Sequence, residues 1–287
     1  MTTSEKRGRG AETGTRGAIG FLTRPHVPVA PPRAPTRPHV PVVFVATALT
    51  ALLATPLQAQ SLAEQMQVRN GEVRLSYATR PEVCGEGRSI HVAHSTDDWE
   101  ADCEHGPARV VLSWRDGALV DVDTYVAGRW RPAGEGVVDL GTVPAAEAAN
   151  VLLDLAGRVT GKSGDDLIFP ATIADSVEVW PRLLTLARNE KVPQATRKNA
   201  VFWLGQAAGD RVAAELGGLA TDDNQDREIQ ESAVFALSQL HDGGGVPLLL
   251  DIARTHKDPK VRKNAMFWLG QSNDPRAIAL FEEILRK

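Results

Sequence analysis

Apolar and polar positions alternate in short runs from Glu72 onward: EVRLSYAT at 72–79, SIHVA at 89–93, RVVLSW at 109–114, LVDVDTYV at 119–126 and GVVDL at 136–140. A period near two, bounded by Gly, Pro and Asp, predicts strands. In the fourth run Val120, Val122 and Tyr125 interleave with Asp121 and Asp123, the pattern of a strand with one wet face. Five strands this short predict a small antiparallel β domain within residues 60–143. The period then lengthens. Ala145 to Ala156 reads as a helix, residues 144–176 as a connecting helix and loop, and residues 177–287 as a succession of helices.

Those helices repeat. RKNAVFWLGQ at 197–206 returns as RKNAMFWLGQ at 262–271, with a looser copy, IQESAVFALSQ, at 229–239. Anchored on Ala200, Ala233 and Ala265, the period is about 33 residues, the length of a helical pair. The preceding helices match as well, VWPRLLTLAR at 179–188 against VPLLLDIAR at 246–254. Asp258-Pro259 and Asp274-Pro275 predict capped helix starts, Gly205 and Gly270 helix ends, and Gly243-Gly244-Gly245 a break before the next pair. A Leu-rich helix followed by Asp258-Pro259, Val261-Arg262, Ala265 and Leu269-Gly270 resembles the short HEAT-like repeat, of the type first described in phycobilin lyases. The resemblance covers residues 177–287, three pairs and a final single helix, and departs from the motif at Gln230, where Arg is usual. It implies a short α-solenoid whose second helices line the concave face, acting as a scaffold. A lyase would need a cytoplasmic pigment partner, which the leader of this chain argues against.

At about 100° per residue, Val261, Ala265, Trp268 and Leu269 fall on one side of the third second helix and are expected in the core, with Trp203 likewise in the first copy. Asn264, Phe267 and Gln271 fall on a different side. Stacking aligns them with Asn199, Phe202 and Gln206, and with Ser232, Phe235 and Gln239, as a stripe of phenylalanines flanked by amides. Such a stripe offers apolar contact and hydrogen bonds to an extended peptide or glycan. Inter-repeat packing explains the same pattern, and both readings stand at this level.

Residues 1–59 differ from the rest. They hold eight of the 18 prolines, seven basic side chains against two acidic ones, and the stretch TRPHVPV twice. An uncharged run, Val42 to Thr55, follows Arg33 and Arg37 and leads to Pro56-Leu57-Gln58-Ala59. A basic flank, a short apolar core and a small-residue exit predict a secretory signal cleaved near Ala59. The run falls short of the about 20 residues that cross a bilayer, so no span is expected in the mature chain, and its late position points to a translation start nearer Val40.

Chemistry adds little to this picture. In an exported chain the two cysteines, Cys84 and Cys103, read first as a disulfide closing a loop of about 20 residues. Two free thiols are a second reading, and a zinc set drawn from Cys84, His91, His94, Cys103 and His105 is a third. Neither cysteine belongs to a CxxC pair, and His91 and His94 would face opposite sides of a strand. GRVTGKS at 157–163 resembles a phosphate-binding loop, but its glycines are one residue too close and it follows a helix, so it reads as a helix terminus. Adjacent Asp97 and Asp98 read as a solvated turn. HExxH, GxSxG and GxGxxG do not occur. With 32 basic against 36 acidic side chains, nothing favours nucleic acid. The expectation is an exported, non-enzymatic α+β protein without cofactor or metal, presenting its solenoid to a protein or other polymer. The alternative is an enzyme or metal-binding protein with a site in the β domain around His91, His94, Asp102 and His105.

Overall fold

The computed structural model of the chain describes residues 60–92 and 103–286. The leader at 1–59, with the export signal expected there, lies outside the described residues, as do His94, Asp97, Asp98 and Asp102. A short helix, α1 (Leu62–Gln65), leads into β1 (Gly71–Tyr77), then β2 (Val83–Glu86), β3 (Ser89–Val92), β4 (Ala108–Arg115), β5 (Ala118–Val126) and β6 (Val137–Thr142). One four-stranded sheet runs in the order β5-β4-β1-β6, and β2 and β3 form a hairpin of their own. Alternation decides the faces. Val73, Leu75 and Tyr77 of β1 oppose Leu112, Val110 and Ala108 of β4, and all six are buried in the core.

Two features depart from the antiparallel meander expected. β6 crosses to the far edge and runs parallel to β1, while β1–β4 and β4–β5 are antiparallel. β2, VCGE, carries no alternating pattern and is a strand because it pairs with β3, Cys84 opposite His91. Three helices follow, α2 (Ala145–Ala156), α3 (Lys162–Asp166) and α4 (Ile168–Thr172), which pack on one another, with α3 also against β5. Tyr77, fully buried at the end of β1, donates its hydroxyl hydrogen to the Pro170 carbonyl of α4 at 2.7 Å. Burial pushes the Tyr77 hydroxyl pKa well up, so it remains a donor. Between α2 and α3, Gly157 closes one helix and Gly161, at φ 88°, opens the next, the helix terminus that the GKS spacing indicated.

The repeats follow as α5 (Trp180–Arg188) with α6 (Gln194–Ala208), α7 (Ala213–Thr221) with α8 (Arg227–Ser238), and α9 (Val246–Thr255) with α10 (Pro259–Gln271), then α11 (Pro275–Leu285) alone. Each pair packs on itself, and the second helices stack, α6 on α8 and α8 on α10. The expected caps form: Asp258 accepts from the Lys260 amide and Asp274 from the Arg276 amide. Ala200, Ala233 and Ala265 are fully buried. Gly205, expected at a helix end, lies inside α6 instead. A Cβ there would sit 3.3 Å from Cβ of Ala236, so the glycine lets α6 and α8 approach closely. Gly270, by contrast, lies at a helix end as expected, one residue before the last of α10. A single apolar cluster runs from the sheet through α2 and α4 into the repeats.

Candidate functional site

The second helices bring the three phenylalanines of the stripe together, but in a larger aromatic system than the stripe alone. Phe169 of α4 lies 5.1 Å from Trp203 of α6, and Trp203 meets Phe202 edge-on at 5.0 Å. Phe202 stacks on Phe235 of α8, nearly parallel at 6.4 Å. Phe235 reaches Trp268 of α10 at 4.9 Å, and Trp268 meets Phe267 edge-on at 5.0 Å. Six rings thus form a continuous ladder crossing α4, α6, α8 and α10, in the offset and edge-to-face geometries that aromatic quadrupoles favour. The first and third repeats share one Phe-Trp arrangement. The middle repeat has Ala236 where the others have Trp, at the point where Gly205 brings the helices close.

Trp203 and Trp268 pack against the core, on the side expected, but are not enclosed by it. Val261, Ala265 and Leu269 are buried as expected, whereas both tryptophans are only partly buried and belong to the ladder. Neighbouring helical residues point about 100° apart, so an adjacent Phe-Trp pair sweeps a wide aromatic arc. That dipeptide was the signal available in the sequence. The ladder is both packed and open: Phe235 is half-buried between its neighbours, while Phe202 keeps 36% and Phe267 keeps 56% of its surface exposed.

The flanking polar groups divide in two. Asn199 donates from Nδ2 to the Asp165 carbonyl at 2.8 Å, tying α6 to α3, and Ser232 donates to the Glu228 carbonyl within its own helix, so both are already engaged. Asn264 is half-buried, with its Oδ1 out of water and unpaired among the described residues. Gln206, Gln239 and Gln271 are exposed along the open edge. At the α4 end the ladder borders a cavity of about 320 Å3. Phe169, Ile173, Phe202 and Trp203 form its walls together with Ile90 and Val92 of β3, and Arg80, Thr172 and Gln206 are its polar members. This cavity has no sequence signature, because residues more than a hundred positions apart build it.

Of the constellation that forms the alternative reading in the β region, the described members Cys84, His91, Cys103 and His105 do not group as metal ligands. Cys84 and Cys103 are joined as a disulfide with Cα atoms 5.5 Å apart, so neither sulfur is a free thiolate. His105 Nδ1 lies 3.1 Å from the Val83 carbonyl, and His91 sits on the hairpin opposite Cys84. His94 and Asp102 are outside the described residues. Among the described residues no three His, Cys, Asp or Glu side chains group as metal ligands, and no helix is long and apolar enough to cross a membrane.

The family model of the HEAT repeats matches residues 223–287, which span α8 to α11. The β region falls outside that match. No curated protein matches the chain.

Proposed function

We propose that the chain is an exported, non-enzymatic scaffold that docks a protein along the exposed edge of the aromatic ladder. One observation carries the reading: Phe202 and Phe267 are drawn into a continuous ladder and still keep more than a third and more than half of their surface, respectively, in water. A purely structural ladder gains nothing from that exposure, whereas aromatic rings beside amides are what a binding surface uses. HEAT repeats commonly serve protein interaction, which supports the same reading. Replacing Phe267 by Ser should abolish capture of the native partner while moving the melting temperature by no more than a few degrees, since an exposed ring adds little to folding. Phe235→Ser, which removes a ring wedged between two others, should in addition lower stability by about 1–3 kcal/mol. Undiminished partner capture by both variants would refute the reading. Export is supported by the basic flank, the short apolar run and Ala59. Mass spectrometry of protein from its native host should find a mature N-terminus at or near Gln60, and recovery of intact residues 1–59 would overturn it.

A further inference from the structure

At its α4 end the ladder stops being a matter of repeats alone. Phe202 and Trp203 of α6, Phe169 of α4, and Ile90 and Val92 of β3 face one groove of about 320 Å3, room for one large side chain and its adjoining backbone. A single charged side chain lines it, Arg80, in the turn between β1 and β2. The backbone of Arg80 is fixed: its N–H donates to the Ile173 carbonyl at 3.0 Å. Its side chain is not fully satisfied. Nε is shut off from water; the Glu82 carboxylate lies 3.4 Å from it, an ion pair without a hydrogen bond. A desolvated guanidinium N–H without an acceptor is unfavourable, and a carboxylate arriving from outside supplies one with matching planar geometry. A second cleft, of about 450 Å3, also ends on Arg80 and continues past Thr172 and Ser176 to Trp180. Arg80 therefore stands where an aromatic groove and a more polar one meet.

We propose that this junction anchors an acidic peptide segment of the partner. A side-chain carboxylate lies on Arg80, a neighbouring aromatic or large aliphatic side chain fills the groove against Phe169, Phe202 and Trp203, and the peptide continues along the ladder. Charge complementarity selects the occupant: the aromatic walls accept any apolar side chain, whereas the Arg80 guanidinium, held by Glu82 at ion-pair distance alone, favours a carboxylate that can hydrogen-bond to it. Exposed Gln206 presents its amide to the peptide backbone at the rim. The inference rests on the reading of the ladder as a docking strip and adds the chemistry of what docks. A third of the anchor's lining residues, Arg80, Ile90 and Val92, come from β3 and the turn before β2, so it is a property of the whole chain and not of the repeats.

The test is fluorescence anisotropy of the full chain with synthetic peptides, acetylated and amidated at their ends so that every carboxylate is a side chain. The parent peptide carries Glu-Phe-Glu in a flexible Gly/Ser background, and its variants replace both Glu by Gln or Phe by Ala. The parent should bind, and each variant should bind at least about tenfold more weakly. Arg80→Gln should weaken the parent by a similar factor and the Gln peptide no further, because both changes remove one interaction. Arg80→Lys, which keeps the charge and the contact range of Glu82, should lose part of the affinity and answers the same question if Arg80→Gln does not fold. Equal affinity for the Glu and Gln peptides, or no binding of the parent, overturns the anchor. Binding that ignores both charges but falls with Phe202→Ser and Phe267→Ser overturns the anchor and leaves the docking strip standing; binding that ignores those rings as well overturns both. Self-association of the chain that Phe202→Ser abolishes would assign the groove to a second copy and overturn the proposal too.

Discussion

Arg197 of α6 is 3% exposed, and its guanidinium donates to three acceptors: the Ala187 carbonyl of α5, Asp226 at 2.7 Å and Gln225. It ties one helical pair to the turn between the two helices of the next. Gln230 stands at the equivalent position of the middle repeat and keeps only part of this role, donating its amide to the Asp222 carbonyl at 2.8 Å. Arg262 of α10 again holds a turn, at the His256 and Lys257 carbonyls. The departure at Gln230 is thus a shorter version of the same backbone clamp. Carboxylates guard the helix starts in a way that titrates. Asp274 accepts from the Arg276 side chain and amide, which hold its carboxyl down to about 2, and the Lys260 amide and Arg227 hold Asp258 below the usual carboxylate range. Both folded-state values lie under the ordinary unfolded value of about 3.9, so their stabilisation is complete above that pH and is lost as pH falls toward 2. The melting temperature should therefore drop between pH 4 and 2, and the double change Asp258→Asn and Asp274→Asn should flatten that drop. An unchanged slope in the variant would show that these caps carry none of it.

Among elements, the helices were legible in the sequence because each carries its own period, cap and break. Asp258-Pro259 and Asp274-Pro275 become capped helix starts as written. The glycine triplet also acts locally, since a Cβ on Gly245 would lie 2.0 Å from the Leu237 carbonyl oxygen, so the break sits where α8 and α9 converge. Gly205 misled because the same residue type serves close helix approach as readily as helix termination. The strands were legible where alternation was clean, as in β4, and illegible where a partner makes the strand, as in β2. That hairpin is small, with β3 largely at the surface, and the Cys84–Cys103 bond ties it to the chain entering β4. Cys84→Ser combined with Cys103→Ser should reduce the free energy of unfolding by about 3 kcal/mol in denaturant titration, by freeing a loop of that length in the unfolded state. A loss under about 1 kcal/mol would mean the hairpin is held by its other contacts.

For the whole molecule, the sequence foretold a β part and a solenoid; the continuity of core between them and the cavity at their meeting were beyond it. Both depend on pairs far apart in the chain, such as Tyr77 with Pro170 and Val92 with Trp203, which no local period encodes. The same limit applied to the stripe: its phenylalanines meet in one ladder, but only the fold shows Asn199 already engaged and Trp203 and Trp268 completing the ladder. On the proposed reading the open edge of this ladder meets a partner. A photo-crosslinking amino acid placed at position 267 in the native host, with an equivalent placement at exposed Asp251 on α9 as control, puts this to the test. One discrete protein adduct is expected from position 267 and none from position 251. No adduct at 267, or the same adducts from both positions, would contradict it.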